Sequence, residues 1–199
     1  MKVDFKKEYK ELYKSTAKKV SFVNVPNFKF LAIDGKGDPN TSKEYKDSIE
    51  ALMSVSFKTK FLLKKEQDYV VMPLEGLWYA DKKQYILNKE KDKWKWTSLI
   101  MQPNFVEKED IKEGMEEASK KKDLLLLNKL RFIEIEEGLS AQTLHIGPYD
   151  NEESTLAKLY KEIEENNYKF NGHHHEIYLS DLRRTKPEKL KTILRQPIK

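Results

Sequence analysis

The feature that most limits the folds open to this chain is an echo between its two halves. GLWYAD (Gly76 to Asp81) aligns with EIYLSD (Glu176 to Asp181), and SLIMQP (Ser98 to Pro103) aligns with TILRQP (Thr192 to Pro197). Around each pair the hydrophobic pattern runs in one order: strand, strand, helix, strand, strand. A sheet made from one such unit leaves a face uncovered, so two of them are expected to pack about a pseudo-twofold axis. The expected fold is therefore α+β, a pseudo-twofold duplication of ββαββ units with a ligand cleft between the halves. It forms one domain over residues 1–199, with repeat one at about 18–103, a connecting helix at about 107–120 and repeat two at about 130–199.

The elements follow from local signals. Phe5, Tyr9, Leu12 and Tyr13 recur at helical spacing and predict a short amphipathic helix. Lys18 to Val23 and Phe28 to Ile33 read as a strand pair, broken by Asp34-Gly35-Lys36-Gly37-Asp38-Pro39. Thr41-Ser42-Lys43-Glu44 fits a capping box that opens a long helix. Tyr69 to Tyr79 reads as a strand in which Pro73 and Gly76 imply an edge position or a bulge, and Trp94 to Gln102 as another. In the second half, Leu130 to Ile135 and Leu139 to Ile146 form the expected strand pair. A helix through Leu156, Leu159, Tyr160 and Ile163 follows, with Asp150 and Glu153 as its capping residues. Strands at His174 to Ser180 and Thr192 to Arg195 close the chain.

Composition narrows the chemistry. Lys and Arg number 38 against 33 Asp and Glu, a net charge of +5, with both signs interspersed. No basic stripe or arm tracks a phosphate backbone, so direct nucleic acid binding is not expected. Cysteine is absent, which removes thiolate chemistry and disulfides and suits a reducing compartment. The charged start, MKVDFKKEYKELYK, lacks the apolar core of a signal peptide, and no apolar run reaches membrane-spanning length. The expected location is cytoplasmic, with no membrane association.

The stretch NGHHHEIYLSD (Asn171 to Asp181) carries the densest chemistry. Strand alternation places His174, Glu176, Tyr178 and Ser180 on one face and His175, Ile177 and Leu179 on the other. Burial of Glu176 beside aromatic rings disfavours its charged form, which suits a carboxylate that moves protons. The plainer reading is a surface carboxylate paired with a lysine. Glu75 is a second candidate. The repeat aligns Gly76, not Glu75, with Glu176, so a bulge at Gly76 is needed to turn Glu75 to the same face. Trp78, Tyr79 and Tyr178 fit the wall of an aromatic binding site, while Trp94 and Trp96 fit either wall or core. Adjacent histidines on a strand point to opposite faces, so His173, His174 and His175 do not converge on a metal, and no metal or cofactor is expected. Gly35-Lys36-Gly37 lacks the remainder of a nucleotide-binding loop, and no serine sits in a nucleophile elbow.

HIGPYDNE (His145 to Glu152), HHEIYLSD (His174 to Asp181) and LEGLWYAD (Leu74 to Asp81), on a duplicated ββαββ plan, resemble the GyrI-like small-molecule-binding family from about Val20 to Ile198. The resemblance implies the SOUL/GyrI-like fold and a cleft holding a flat aromatic or cationic molecule beside a strand glutamate, here Glu176. It places Tyr149, in the Gly147-Pro148-Tyr149 turn, at the border of that cleft. The LEGLW, KWKW and TILRQP segments are similar to stand-alone members, some of which hydrolyse the electrophilic cyclopropane of DNA-alkylating natural products. No helix-turn-helix precedes the domain, unlike the drug-sensing transcription regulators that share this fold. The resemblance thus implies a stand-alone protein with Glu176 as its site glutamate, and the expected catalytic pair is Glu176 with Glu75, the latter if a bulge at Gly76 turns it to the cleft. Trp78, Tyr79, Trp96, Tyr149, His174 and Tyr178 would bind a small hydrophobic or cationic aromatic molecule. The alternatives are a non-catalytic drug binder or sensor and a protein-interaction inhibitor of the gyrase-inhibitor type.

Overall fold

FKFLAIDGK builds the longest strand of the first half because its alternate residues find apolar partners on both sides. In the computed structural model, which describes residues 2–199 apart from the side chains of Lys83 and Leu87, this is β2 (Phe28–Lys36). Phe30, Leu31, Ala32 and Ile33 are all buried along it. Strand β1 (Ser21–Val25) precedes it, and α1 (Phe5–Glu8) and α2 (Lys10–Tyr13) come first as two separate helical turns where a single helix was expected.

The chain divides into two compact units. The first holds residues 2–5 and Phe28–Ile135. Its strands are β2, β3 (Leu74–Tyr79), β4 (Lys95–Gln102) and β5 (Arg131–Ile135), in the antiparallel order β5-β2-β4-β3. Helix α3 (Lys43–Leu63) lies on this sheet. Ser42 caps it by accepting the Tyr45 amide at 3.1 Å, so the cap sits one residue later than the Thr41 box predicts. The helix meets the sheet partly through small polar groups: Ser48 bonds Ser98 at 3.2 Å and the Gln102 amide donates to Ser56 at 3.2 Å. Each such buried bond contributes about 1 kcal/mol net and fixes the register of helix on sheet. A short helix α4 (Lys83–Leu87) lies between β3 and β4, and α5 (Lys108–Ser119), begun by a Glu107–Asp110 capping box, packs on α3. Gly114 permits that approach, because a Cβ there would collide with Thr59.

The second unit holds Lys6–Asn27 and Glu136–Lys199. Its strands are β1, β6 (Gly138–Ile146), β7 (His174–Tyr178) and β8 (Lys191–Pro197), in the order β1-β6-β8-β7. Helix α6 (Glu153–Glu165) covers one face, where Leu159 and Ile163 pack on Ala141, Leu194 and Ile198. The opposite face carries a buried polar network. Arg195 donates to Gln142 Oε1, Glu137 Oε2 and the Leu12 carbonyl, each at 3.0 Å, and Glu137 Oε1 lies 2.9 Å from His175 Nδ1. Gln142 adds a bond to the Glu11 carbonyl at 2.9 Å, so the α2 segment is tied to this sheet by side chains of β6 and β8.

Two expectations give way to the observed pairing. The anticipated hairpins do not form: β1 pairs with β6, and β5 with β2. Both two-residue links, Pro26-Asn27 and Glu136-Glu137, lack a residue at positive φ, which the tight hairpin turns require. No bulge forms at Gly76 either; β3 runs one-to-one against β4, with Glu75 opposite Leu99 and Gly76 opposite Ser98. Proline also shortens that strand, which starts at Leu74, just after Pro73, while Tyr69 makes only an isolated bridge to Val3.

Candidate functional site

Strand β7 displays the predicted alternation: His175 and Ile177 are buried, and His174, Glu176 and Tyr178 are partly covered. Glu176 pairs with Leu194 and Tyr178 with Thr192, so both side chains share the face that carries α6. The Tyr178 hydroxyl donates to Glu176 Oε2 at 2.9 Å. His174 Nε2 stands 3.5 Å from Glu176 Oε1, within ion-pair range but too far for a hydrogen bond of normal strength. Glu176 keeps 14% of its side chain exposed, enough for a water molecule or ligand to reach it.

The β6–α6 turn completes the surroundings. Gly147, at φ +137°, adopts a conformation that side chains rarely take and turns the chain into Pro148-Tyr149. His145 anchors the turn: its Nε2 donates to the Pro148 carbonyl at 3.1 Å, which leaves Nδ1 to accept from the Thr155 hydroxyl at 2.9 Å. Tyr149 then meets Tyr178 edge to face, with ring centroids 5.5 Å apart. Burial, and then the charge of Glu176, push the Tyr149 and Tyr160 hydroxyls up to about 12.

Sequence reasoning missed one residue here. Glu152 follows the turn at the start of α6 and is buried, although glutamate is rarely so unless paired. Its side chain does not cap the helix, its Oε1 has no hydrogen-bond partner, and among the described residues no cation pairs with it. Burial, then Glu176, then Asp150 raise its carboxyl to about 9. The Tyr178 hydroxyl donates to Glu176 Oε2, whereas Glu152 Oε1 has no donor. The available signal was the pair of acids in YDNEE, read as surface caps because Asp150 and Glu153 are indeed exposed.

The candidates of the first unit fall on two faces. Trp78 and Trp96 are cross-strand partners on the α3 side, where Tyr45 meets Trp78 at 5.8 Å and Trp96 at 5.0 Å. Trp96 is fully buried over Gly35, whose missing side chain makes room for the indole. Trp94 packs edge-on against Trp78 at 6.1 Å and donates to the Tyr85 carbonyl at 3.1 Å. Glu75 and Tyr79 point the other way, and Glu75 is buried, 1% exposed, opposite Leu99. Tyr149, His174, Glu176 and Tyr178 thus gather within the second unit. Trp78 and Trp96 gather beneath α3, and Glu75 with Tyr79 lies on the reverse of that sheet.

The sequence profile of the GyrI-like small molecule binding domain matches residues 18–199. The chain belongs to the GyrI-like family. Among solved structures it is similar to an uncharacterized conserved protein from Listeria innocua, 38% identical, with a TM-score of 0.92 and both chains covered over 100%. A protein from Listeria innocua described as a hydrolase is 37% identical, with a TM-score of 0.90 and the same full coverage. The EcmrR C-terminal domain shares the fold alone, at 11% identity and a TM-score of 0.58, over 91% of this chain and 97% of that one. No curated protein matches the sequence. Among the described residues, no helix is long and apolar enough to cross a membrane, and no three His, Asp or Glu side chains cluster to hold a metal ion.

Proposed function

We propose that this GyrI-like protein is a cytoplasmic hydrolase of electrophilic small molecules, of the cyclopropane-bearing aromatic class, in which Glu176 activates water. The observation that carries this reading is the partly covered Glu176 carboxylate, oriented by the Tyr178 hydroxyl at 2.9 Å and walled by Tyr149 and Tyr178. A carboxylate held in one orientation with limited solvent access can accept a proton from water as that water attacks carbon, typically worth ~10²–10⁴-fold in rate. The tyrosine rings hold a flat substrate by offset and edge contacts. Full-length similarity to a Listeria innocua protein described as a hydrolase supports the reaction type. Glu75, Trp78, Tyr79 and Trp96 of the first unit stay candidates to be tested one by one, since Trp78 and Trp96 lie beneath α3 and Glu75 with Tyr79 lies on the reverse face.

The test is chromatographic detection of ring-opened product from an electrophilic cyclopropane, alongside calorimetric affinity, for wild type, Glu176→Gln and Glu75→Gln. The proposal expects Glu176→Gln to bind with near-native affinity and to lose turnover. Wild-type turnover in Glu75→Gln removes Glu75 from the mechanism. One observation favours a second reading, a non-catalytic binder of organic cations: Tyr149 and Tyr178 flank a single carboxylate, an arrangement that also suits cation–π recognition. Affinity for a cation that falls in Glu176→Gln, with no turnover in wild type, would select it.

A further inference from the structure

Helix α3 turns one face to its own unit, where Ser48, Ala51, Leu52, Val55, Ser56 and Thr59 are buried. Its far side carries residues that the hydrolase reading leaves unused. Glu50, Phe57, Phe61 and Lys64 are exposed there, with Met53 half-buried among them. Steps of three and four residues set all five on one stripe, and Lys64, the C-cap, keeps helical geometry, so the stripe is unbroken. Phe57 is 47% exposed and Phe61 59%, and their rings stack with centroids 6.5 Å apart. Lys60 sits under this pair: its Nζ lies 4.9 Å from the Phe61 ring centroid while bridging to Asp68 at 2.7 Å. A single exposed ring is ordinary on a protein surface. Two stacked rings between charges of opposite sign form a patch with a direction.

We propose that this face of α3 docks a second copy of the chain, helix against antiparallel helix, about a twofold axis at Phe57. The order of the stripe carries the proposal. Glu50 precedes Phe57 by seven residues and Lys64 follows it by seven; Met53 and Phe61 stand four before and four after. Seven residues are about two helical turns, so each charge lies about 10 Å along the helix from the axis. Antiparallel apposition then sets Phe57 on Phe57 of the second copy, Met53 on its Phe61 and Glu50 on its Lys64, the last two contacts each made twice. Parallel apposition would set Glu50 on Glu50 and Lys64 on Lys64, and the like charges disfavour it. Glu50 has room for a second cation: it bridges to Lys122, yet 44% of its side chain stays exposed, and a carboxylate accepts from several donors. The rings supply apolar burial and the charges set direction and register. One helix face is small beside a standard interface, so the dimer is weak and concentration-dependent. The proposal is independent of the hydrolase reading.

The test is sedimentation velocity of the full chain over a concentration series, for wild type, Phe57→Asp, Glu50→Lys and Lys64→Glu, and for the last two mixed. Wild type is expected in monomer–dimer equilibrium and Phe57→Asp as a monomer. Each charge reversal should weaken self-association roughly tenfold, since two opposite-charge contacts become two like-charge ones. Mixing the two reversals should restore dimerisation to within a few-fold of wild type, because one chain then carries lysine at both ends of the stripe and the other glutamate. Misfolding of either variant could not produce that recovery. A wild type that stays monomeric up to about 1 mM overturns the proposal. So does a dimer that persists in Phe57→Asp, or reversals that fail to recover on mixing. Binding of monomeric wild type to anionic phospholipid vesicles, lost in Phe57→Asp, also overturns it and assigns the patch to a lipid surface.

Discussion

The two units place different chemistry on strand positions that align in sequence. Where the second unit has Glu176 and Tyr178 under α6, the first has Gly76 and Trp78 under α3. Where the second has His175 and Arg195 on the reverse face, the first has Glu75 and Met101. The helices differ to match. The 21-residue α3 presses small hydroxyls and Tyr45 onto the sheet and buries Trp96, whereas the 13-residue α6 packs through Leu159 and Ile163 and leaves Tyr160 only partly covered beside Glu176. The first unit thus carries a packed aromatic cluster beneath α3, and the second carries the partly covered Glu176 and the buried Glu152 near α6. Position in the plan sets where a side chain points, and the neighbours decide whether it does chemistry.

The contrast can be pressed hardest at Arg195. Replacing it with methionine, the residue aligned with it in SLIMQP, leaves buried Glu137 with His175 as its remaining charged partner and Gln142 and the Leu12 carbonyl without their donor. Removal of one partner from such a network destabilises by about 3–5 kcal/mol, read as a lower midpoint in urea unfolding. Adding Glu137→Gln should return part of that loss; a neutral Arg195→Met alone would mean the two faces are energetically alike.

The pH dependence next separates two buried carboxyls of the second unit, Glu137 and Glu152. Burial pushes the Glu137 carboxyl up, but His175 and Arg195 more than compensate and hold it at about 2, below its ordinary 4.5. A depressed carboxyl stabilises the fold above its unfolded value, so this contribution is lost as pH falls from about 4.5 towards 2. Glu152 has the opposite sign. Its folded value is raised to about 9, so between about 4.5 and 9 the native state binds more protons than the unfolded chain and stability declines as pH rises. Thermal melts of Glu152→Gln should therefore show a flatter alkaline slope than wild type, and an unchanged slope would show that Glu152 is ionised in the fold.

Within the first unit, Gly35→Ala should destabilise by about 1–3 kcal/mol, since the new Cβ would collide with the Trp96 ring in a filled core. Calorimetric unfolding checks this. A tolerated alanine would mean that the indole has room to move, and that Trp96 is freer to meet a ligand than its burial indicates.

Much of this was legible in the sequence, and the losses have physical causes. The strand faces at His174 to Tyr178 and the order of elements follow from periodicity, which short-range sterics impose. The partners of β1 and β5 do not, because pairing depends on what the turn at Pro26-Asn27 or Glu136-Glu137 allows, and the remaining sheet lies far away in sequence. Trp96 reads equally as wall or core until its partner Gly35 is known. Glu152 was hidden for a different reason. A glutamate at a helix start reads as a cap, and only burial and the nearby Glu176 charge make it an acid.

The most direct test of the central claim, that Glu176 turns water into a nucleophile, is hydrolysis of an electrophilic cyclopropane in ¹⁸O-labelled water by wild type and Glu176→Gln. The account predicts ring-opened product carrying the label at the attacked carbon with wild type, and bound but unopened substrate with the variant. Labelled product formed at the wild-type rate by Glu176→Gln would contradict it.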